Sequence, residues 1–160
     1  MRRISVQAED FDPGAELASL QACAPGVGGV ASFVGVVRSD AANPIAAMTL
    51  EHYPAMTASA IHSIAEKAEQ RFDLIGCTIV HRFGRLLPGE RIVFVGAASS
   101  HRRAALEATT FLIDWLKTRA PFWKLEHLLD GSAHWVAAAA QDETDAEKWL
   151  ARLPMSERLV

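Results

Sequence analysis

The chain has 160 residues, half of them hydrophobic and 22% charged, the balance of an ordinary soluble domain able to bury a core without covalent staples. Its formal net charge of −3 argues against broad nucleic-acid binding, and no apolar run approaches the ~18–20 residues of a membrane span. Cys23 and Cys77 form no C-x-x-C pair and read as free thiols in a reducing cytoplasm, and the N-terminus M-R-R-I-S-V-Q-A-E-D lacks the apolar stretch of a signal peptide.

Arg3 to Ala8 alternates like a strand, and Asp12-Pro13 opens a short helix, with Asp as cap and Pro in the first turn, that ends near Pro25-Gly26. Gly28 to Val37 is a β-branched apolar run that predicts a buried strand, followed by the polar loop R-S-D-A-A-N-P. Ala47 to Tyr53 resumes as a strand, with Pro54 as its end. Ile61, Ile64, Ala65, Ala68 and Phe72 recur at helical spacing and predict a helix from Thr57 to Phe72. Cys77 to Phe83 and Arg91 to Ala98 read as strands joined by a turn from Gly84 to Glu90. Ser99-Ser100 is placed to cap a long helix from His101 to Arg119, which Pro121 stops. Phe122 to Leu128 then returns as a strand, and Asp130-Gly131 turns into a short strand near His134 to Ala137. A last helix from Thr144 to Leu150 and a flexible tail over residues 151–160 close the chain. The order of elements predicts a single α+β domain over residues 1–160, with helices packed on a mixed sheet.

The long helix is informative at both ends. His101, Arg102 and Arg103 crowd its first turn, where cations oppose the macrodipole. Either an anion binds there, or the arginines face solvent and pair with acids such as Glu107. At the other end Lys117 follows Leu106, Thr110 and Ile113 on one helical stripe. A lysine half-buried there becomes a base or nucleophile, whereas one that snorkels at the helix end simply satisfies the dipole. The chain has only four lysines, and Lys117 and Lys124 lie seven residues apart across the bend K-T-R-A-P-F-W-K. Strand alternation places Phe122 and Lys124 on one face and Trp123 on the other. Two ammoniums brought together call for an anionic ligand. Arg38, at the end of a buried strand, is a further cation on a rigid support.

Length adds a constraint. Arg102 and Lys117 are separated by fifteen residues of helix, about 22 Å at ~1.5 Å per residue. Two anion sites, or one site shared with a second copy, satisfy that distance, and the shared site is the sharper hypothesis. Glu51, His52 and His81 show no metal-ligand spacing and read as core or surface groups; no metal or cofactor is expected. Gly26-Val27-Gly28-Gly29 matches no nucleotide-binding fingerprint, and neither cysteine has an activating neighbour that makes it a nucleophile.

The segments L-E-H-Y-P-A-M-T (50–57), H-R-F-G-R-L-L-P-G-E (81–90), S-S-H-R-R (99–103) and L-K-T-R-A-P-F-W-K (116–124) together resemble the large catalytic subunits of molybdopterin synthases, in family order from Gly28 to Trp135. The resemblance implies an α/β-hammerhead fold and a homodimer with a small ubiquitin-like sulfur carrier at each end, a heterotetramer. It implies a sulfurtransferase of molybdenum cofactor biosynthesis. The carrier's C-terminal Gly-Gly thiocarboxylate donates two sulfurs, one at a time, to cyclic pyranopterin monophosphate, giving the molybdopterin dithiolene. The family's catalytic lysines fall on Lys117 and Lys124. Its substrate-binding positions fall on Val36, Val37, Arg38, Leu125 and Glu126, with His101 and Arg102 supplied by the other protomer. Val36 and Leu125 stand where relatives often carry polar or basic residues, which leaves backbone groups to make those contacts.

Overall fold

A computed structural model describes residues 1–42, 44–136, 144, 148 and 149. In chain order the elements are β1 (Arg2–Gln7), α1 (Pro13–Gln21), β2 (Gly29–Val36), β3 (Ile45–His52), α2 (Pro54–Phe72), β4 (Gly76–Arg82), β5 (Gly84–Leu86), β6 (Arg91–Ser99), α3 (Arg102–Thr118), β7 (Phe122–Leu128) and β8 (Ala133–Val136). They form two four-stranded sheets, ordered β1-β4-β6-β2 and β5-β3-β7-β8. The first is mixed, because β1 runs parallel to β4 while β4, β6 and β2 are antiparallel; the second is wholly antiparallel.

The first sheet is covered on both faces, which is why G-C-T-I-V-H-R of β4 is buried throughout. Cys77 and Ile79 of β4, with Val95 and Ala97 of β6, meet the apolar stripes of α2 and α3 through Ile61, Ile64, Phe111 and Leu112. Val80, Phe94 and Ala98 face the other way, onto Leu20 of α1 and Phe11. The second sheet has its own small core of Ile45, Met48, Leu50, Leu86 and Val37. Gly84, at φ +89, is where the chain leaves the first sheet as β4 and enters the second as β5; a side chain is strained in that conformation. A different need fixes Gly28, where a Cβ would lie 2.2 Å from the Ser100 carbonyl oxygen. Gly28, with Gly29 close against the Arg102 backbone, thus lets the start of β2 press against the start of α3.

Several expected boundaries move. The single mixed sheet becomes two, since pairing partners are set by contacts far apart in sequence. Gly84 to Leu86, expected within a turn, is a strand paired with Met48 to Leu50. Pro54 both ends β3 and occupies the first turn of α2, which therefore starts three residues before Thr57. The first helix stops at Gln21 rather than near Pro25. His101, not a serine, is the N-cap of α3, and it makes no side-chain capping bond. Thr144, Lys148 and Trp149 are helical, but the rest of the expected last helix and the tail 151–160 lie outside the described residues. Trp149 is buried against Phe72 and Phe111, and its Nε1 donates to Asp114 Oδ2 at 2.7 Å.

A polar lock holds the junction between the sheets. The buried Arg82 guanidinium donates to the carbonyls of Ala8 and Arg91, both at 3.1 Å, and to Glu90 Oε1 at 3.3 Å. Glu90 in turn accepts from the Leu87 N–H, closing the turn that carries Pro88 and Gly89. Asp10 accepts two bonds from Arg91 and lies 3.6 Å from Arg82. These guanidiniums, Arg91 foremost, hold the Asp10 carboxyl down at about 2. A depressed carboxylate stabilises the fold fully above its unfolded pKa of about 3.9 and loses that contribution as pH falls through the folded value. Melting temperature should therefore drop between about pH 4 and pH 2, and Asp10→Asn should flatten that slope. Equal slopes for the two proteins would remove the assignment.

Candidate active site

α3 ends at Thr118, and Arg119 caps it with its N–H on the Trp115 carbonyl at 2.7 Å. Three residues later β7 begins, so Pro121 folds the helix end back onto the second sheet. Thr57 of α2 donates to the Pro121 carbonyl at 3.4 Å, tying the bend down. The Arg119 guanidinium lies over the Trp115 ring at 5.6 Å, which gives that third cation a packing role. In β7 the side chains alternate as the pattern requires. Phe122, Lys124 and Glu126 face a cavity, while Trp123 turns away to meet Tyr53 edge-on at 5.1 Å.

The cavity is about 1050 Å³ and opens between the two sheets, beside the last turn of α3. Arg38, Lys117 and Lys124 all line it. Among the described residues Glu126 is the one carboxylate on its wall, and it sits 3.5 Å from His134 Nε2. Three cations against one carboxylate among the described residues make this wall positive within a chain of net charge −3. Its remaining wall is largely apolar, from Phe33 and Val36 through Ile113 to Phe122. Such a site strengthens electrostatic contacts by limiting water while keeping charge for an anionic ligand.

Not every expected site residue converges here. Val36 and Val37 join Arg38 on the wall, Val36 half exposed and Val37 buried in the core of the second sheet. Arg38 itself stands at the rim, 83% exposed, with Asp40 at 3.4 Å. Leu125 faces the opposite side of β7, level with Thr49 and Trp135. His101 and Arg102 are exposed at the far end of α3 and contribute nothing to this cavity. Arg103 pairs with Glu107 at 2.9 Å, the solvent-side alternative for that residue, whereas Arg102 has no ion-pair partner among the described residues. Lys117 is exposed, and Leu106 on its stripe is 59% exposed, so the structure does not hold this lysine half-buried. Cys77 is buried with its thiol pushed up to about 12, chiefly by that burial, which makes it inert as a nucleophile. Among the described residues no group of His, Cys, Asp or Glu is placed to hold a metal ion, and no helix is long and apolar enough to cross a membrane.

One lining residue, His81, has no site role in the sequence reading. His81, at the end of β4, is 8% exposed and stacks face-on against Phe122 at 3.7 Å. Burial foremost, with the nearby Lys124 charge, pushes its imidazole down to about 4. Nothing in the sequence distinguishes it from an ordinary core or surface histidine.

An α+β chain with a cationic cavity at a helix end has the form of an enzyme that handles an anionic ligand. Residues 6–119 match the family model described as MoaE protein, and the chain belongs to that family. It is 50% identical over 147 residues to the "Molybdopterin synthase catalytic subunit" of Pseudomonas aeruginosa, covering 91% of this chain and 97% of the relative. Among solved structures it is similar to the "Molybdopterin biosynthesis MoaE protein" of Burkholderia ambifaria, at 46% identity and a TM-score of 0.79, over 93% of this chain and 98% of the other. The fold is shared with a Helicobacter pylori "Protein-protein complex of subunit 1 and 2 of Molybdopterin-converting factor", at 23% identity and a TM-score of 0.66, over 88% of this chain and 91% of that one.

Proposed function

We propose that this chain is the catalytic subunit of a molybdopterin synthase, a cytoplasmic sulfurtransferase that builds the dithiolene of molybdopterin on cyclic pyranopterin monophosphate. The observation that carries the reading is the meeting of Lys117, Lys124 and Arg38 in one cavity, two of them on opposite arms of the proline bend. The sulfur arrives on a partner, the thiocarboxylated Gly-Gly terminus of a small carrier, so no cysteine of this chain is needed. That accords with the buried, protonated thiol of Cys77.

Each residue then has a task. Arg38 holds the phosphate by charge-assisted hydrogen bonds. Lys117 stabilises negative charge as the carrier's sulfur attacks the pterin, or carries a proton in that step. Lys124 steers the anionic carrier terminus and shares the electrostatic role. Val36, Val37, Leu125 and Glu126 frame the substrate, with Leu125 offering its backbone. His101 and Arg102 complete the site from a second protomer, since one chain keeps them ~22 Å of helix away from Lys117. The working assembly is a homodimer bearing one carrier per protomer.

The test is direct. This protein, mixed with thiocarboxylated carrier and cyclic pyranopterin monophosphate, should yield dithiolene product. Tight pterin binding with no sulfur transfer would favour a phosphate-ligand sensor built on the same basic cavity.

A further inference from the structure

His81 is a buried titratable group on the cavity wall for which this mechanism has no task. Its side chain reaches the cavity at the seam of the two sheets, where β4 gives way to β5. The ring is fixed from two directions. Phe122 stacks on it with planes 13° apart, and Nδ1 lies 2.8 Å from the Arg82 carbonyl oxygen. A carbonyl only accepts, so Nδ1 carries the proton and donates. The ring is neutral, because charging it would take place in a buried setting that already faces Lys124 from β7 and His52 from β3. A neutral imidazole protonated on Nδ1 must present a bare lone pair on Nε2. None of the described residues donates a hydrogen bond to that atom, and it is not among their fully buried, unsatisfied polar atoms. It is therefore not sealed off, on a side chain that lines the cavity.

Two other residues of the described wall carry a side-chain oxygen, and both have neighbours of their own. Ser39 Oγ both accepts from and donates to the Ile45 backbone, at 3.0 and 3.2 Å. Glu126 has His134 beside it. The wall's cations can serve the anionic parts of a ligand, yet a pterin also presents amine and amide N–H groups that require acceptors. Leaving such a donor unpaired in a desolvated site is costly.

We propose that His81 is a substrate-binding residue, its unprotonated Nε2 accepting a hydrogen bond from an N–H of the pterin ring and so selecting that heterocycle. This inference rests on the molybdopterin synthase reading. The stack on Phe122 makes the device rigid, and Phe122 belongs to the same bend that presents Lys124. Recognition of the ring and placement of the lysine are thereby built on one piece of backbone.

The experiment compares wild type, His81→Phe and His81→Gln in the carrier-loaded complex. Phenylalanine keeps the stacking face and removes both nitrogens, while glutamine restores an oxygen acceptor near the position of Nε2. The Phe variant should raise KM for cyclic pyranopterin monophosphate about tenfold or more, as expected when a donor is left unpaired. Its kcat and its affinity for the carrier should stay near wild type, and Gln should recover much of the KM. In wild-type protein labelled with 15N in its imidazoles, the Nε2 resonance of His81 should shift on adding the pterin while Nδ1 keeps its proton. An unchanged KM in a folded Phe variant overturns the proposal. So does a fall in kcat without a change in KM, which would mean that His81 acts through Lys124. An Nε2-protonated tautomer, or an Nε2 resonance indifferent to the pterin, overturns it even if both variants fail to fold. Wild-type protein that neither binds nor converts the pterin removes the enzyme reading and this inference together, whereas normal wild-type turnover with an indifferent His81 removes the inference alone.

Discussion

Lys117→Ala should abolish molybdopterin formation while leaving the fold and carrier binding intact. The side chain is exposed at the last turn of α3, so its loss opens no cavity in the core. Exposed substitutions of this kind usually change stability by less than about 0.5 kcal/mol, even after allowing for the favourable cation at the helix end. The catalytic effect is of another order. Removing one preorganised charge from the place where transition-state charge develops costs about 10²–10³ in kcat. The discriminating measurements are single-turnover sulfur transfer, thermal melting and carrier affinity on the same preparation. Melting and affinity should match wild type while transfer collapses. Near-normal turnover would remove the central mechanistic claim. Lys117→Arg separates the two tasks given to this residue. Arginine keeps the charge but does not give up a proton near neutral pH, so a fast Arg variant assigns Lys117 an electrostatic role and a dead one assigns it proton transfer.

The bend that carries this prediction was legible because each of its parts is local. A helical repeat running into Pro121, and strand alternation after it, suffice to put Phe122 and Lys124 on one side and Trp123 on the other. What was not legible depends on which elements come together. Helical spacing shows that Leu106, Thr110, Ile113 and Lys117 share a stripe, but not whether anything covers it, and Leu106 proves 59% exposed. The division into two sheets rests on pairings such as Leu50 with Lys124 and Cys77 with Ala97, whose partners no local pattern names. β5 is three residues long, and only its partner β3 makes it a strand. For His81 the sequence leaves core and surface open, and the structure buries it. That it also touches a cavity follows from the seam between the sheets, which the sequence does not announce. The cluster of cations at the start of α3 was visible in the sequence, but its distance from the cavity excludes a single-chain site containing both ends.

That distance leads to the second large effect. If a site draws Lys117, Lys124 and Arg38 from one protomer and His101 and Arg102 from the other, then Lys117→Ala and Arg102→Ala should each inactivate the homodimer yet rescue one another. In a mixed dimer, one site pairs the intact lysine of the Arg102 variant with the intact arginine of the Lys117 variant, and the second site carries both lesions. Random exchange makes about half of the dimers mixed, each with one working site, so activity should return to about a quarter of wild type. Arg102 suits the experiment because it is exposed and has no ion-pair partner among the described residues, so its removal leaves no buried charge behind. Its neighbour Arg103 serves as the control. That guanidinium is held by Glu107 on its own helix, and Arg103→Ala should leave activity near wild type. The measurement is dithiolene formation after the two inactive proteins are mixed, with exchange followed by a mass difference between labelled and unlabelled chains. Full exchange without recovery would place the working site within one protomer. The cations at the start of α3 would then need a separate anion, because fifteen residues of straight helix, about 22 Å, cannot be closed within one chain.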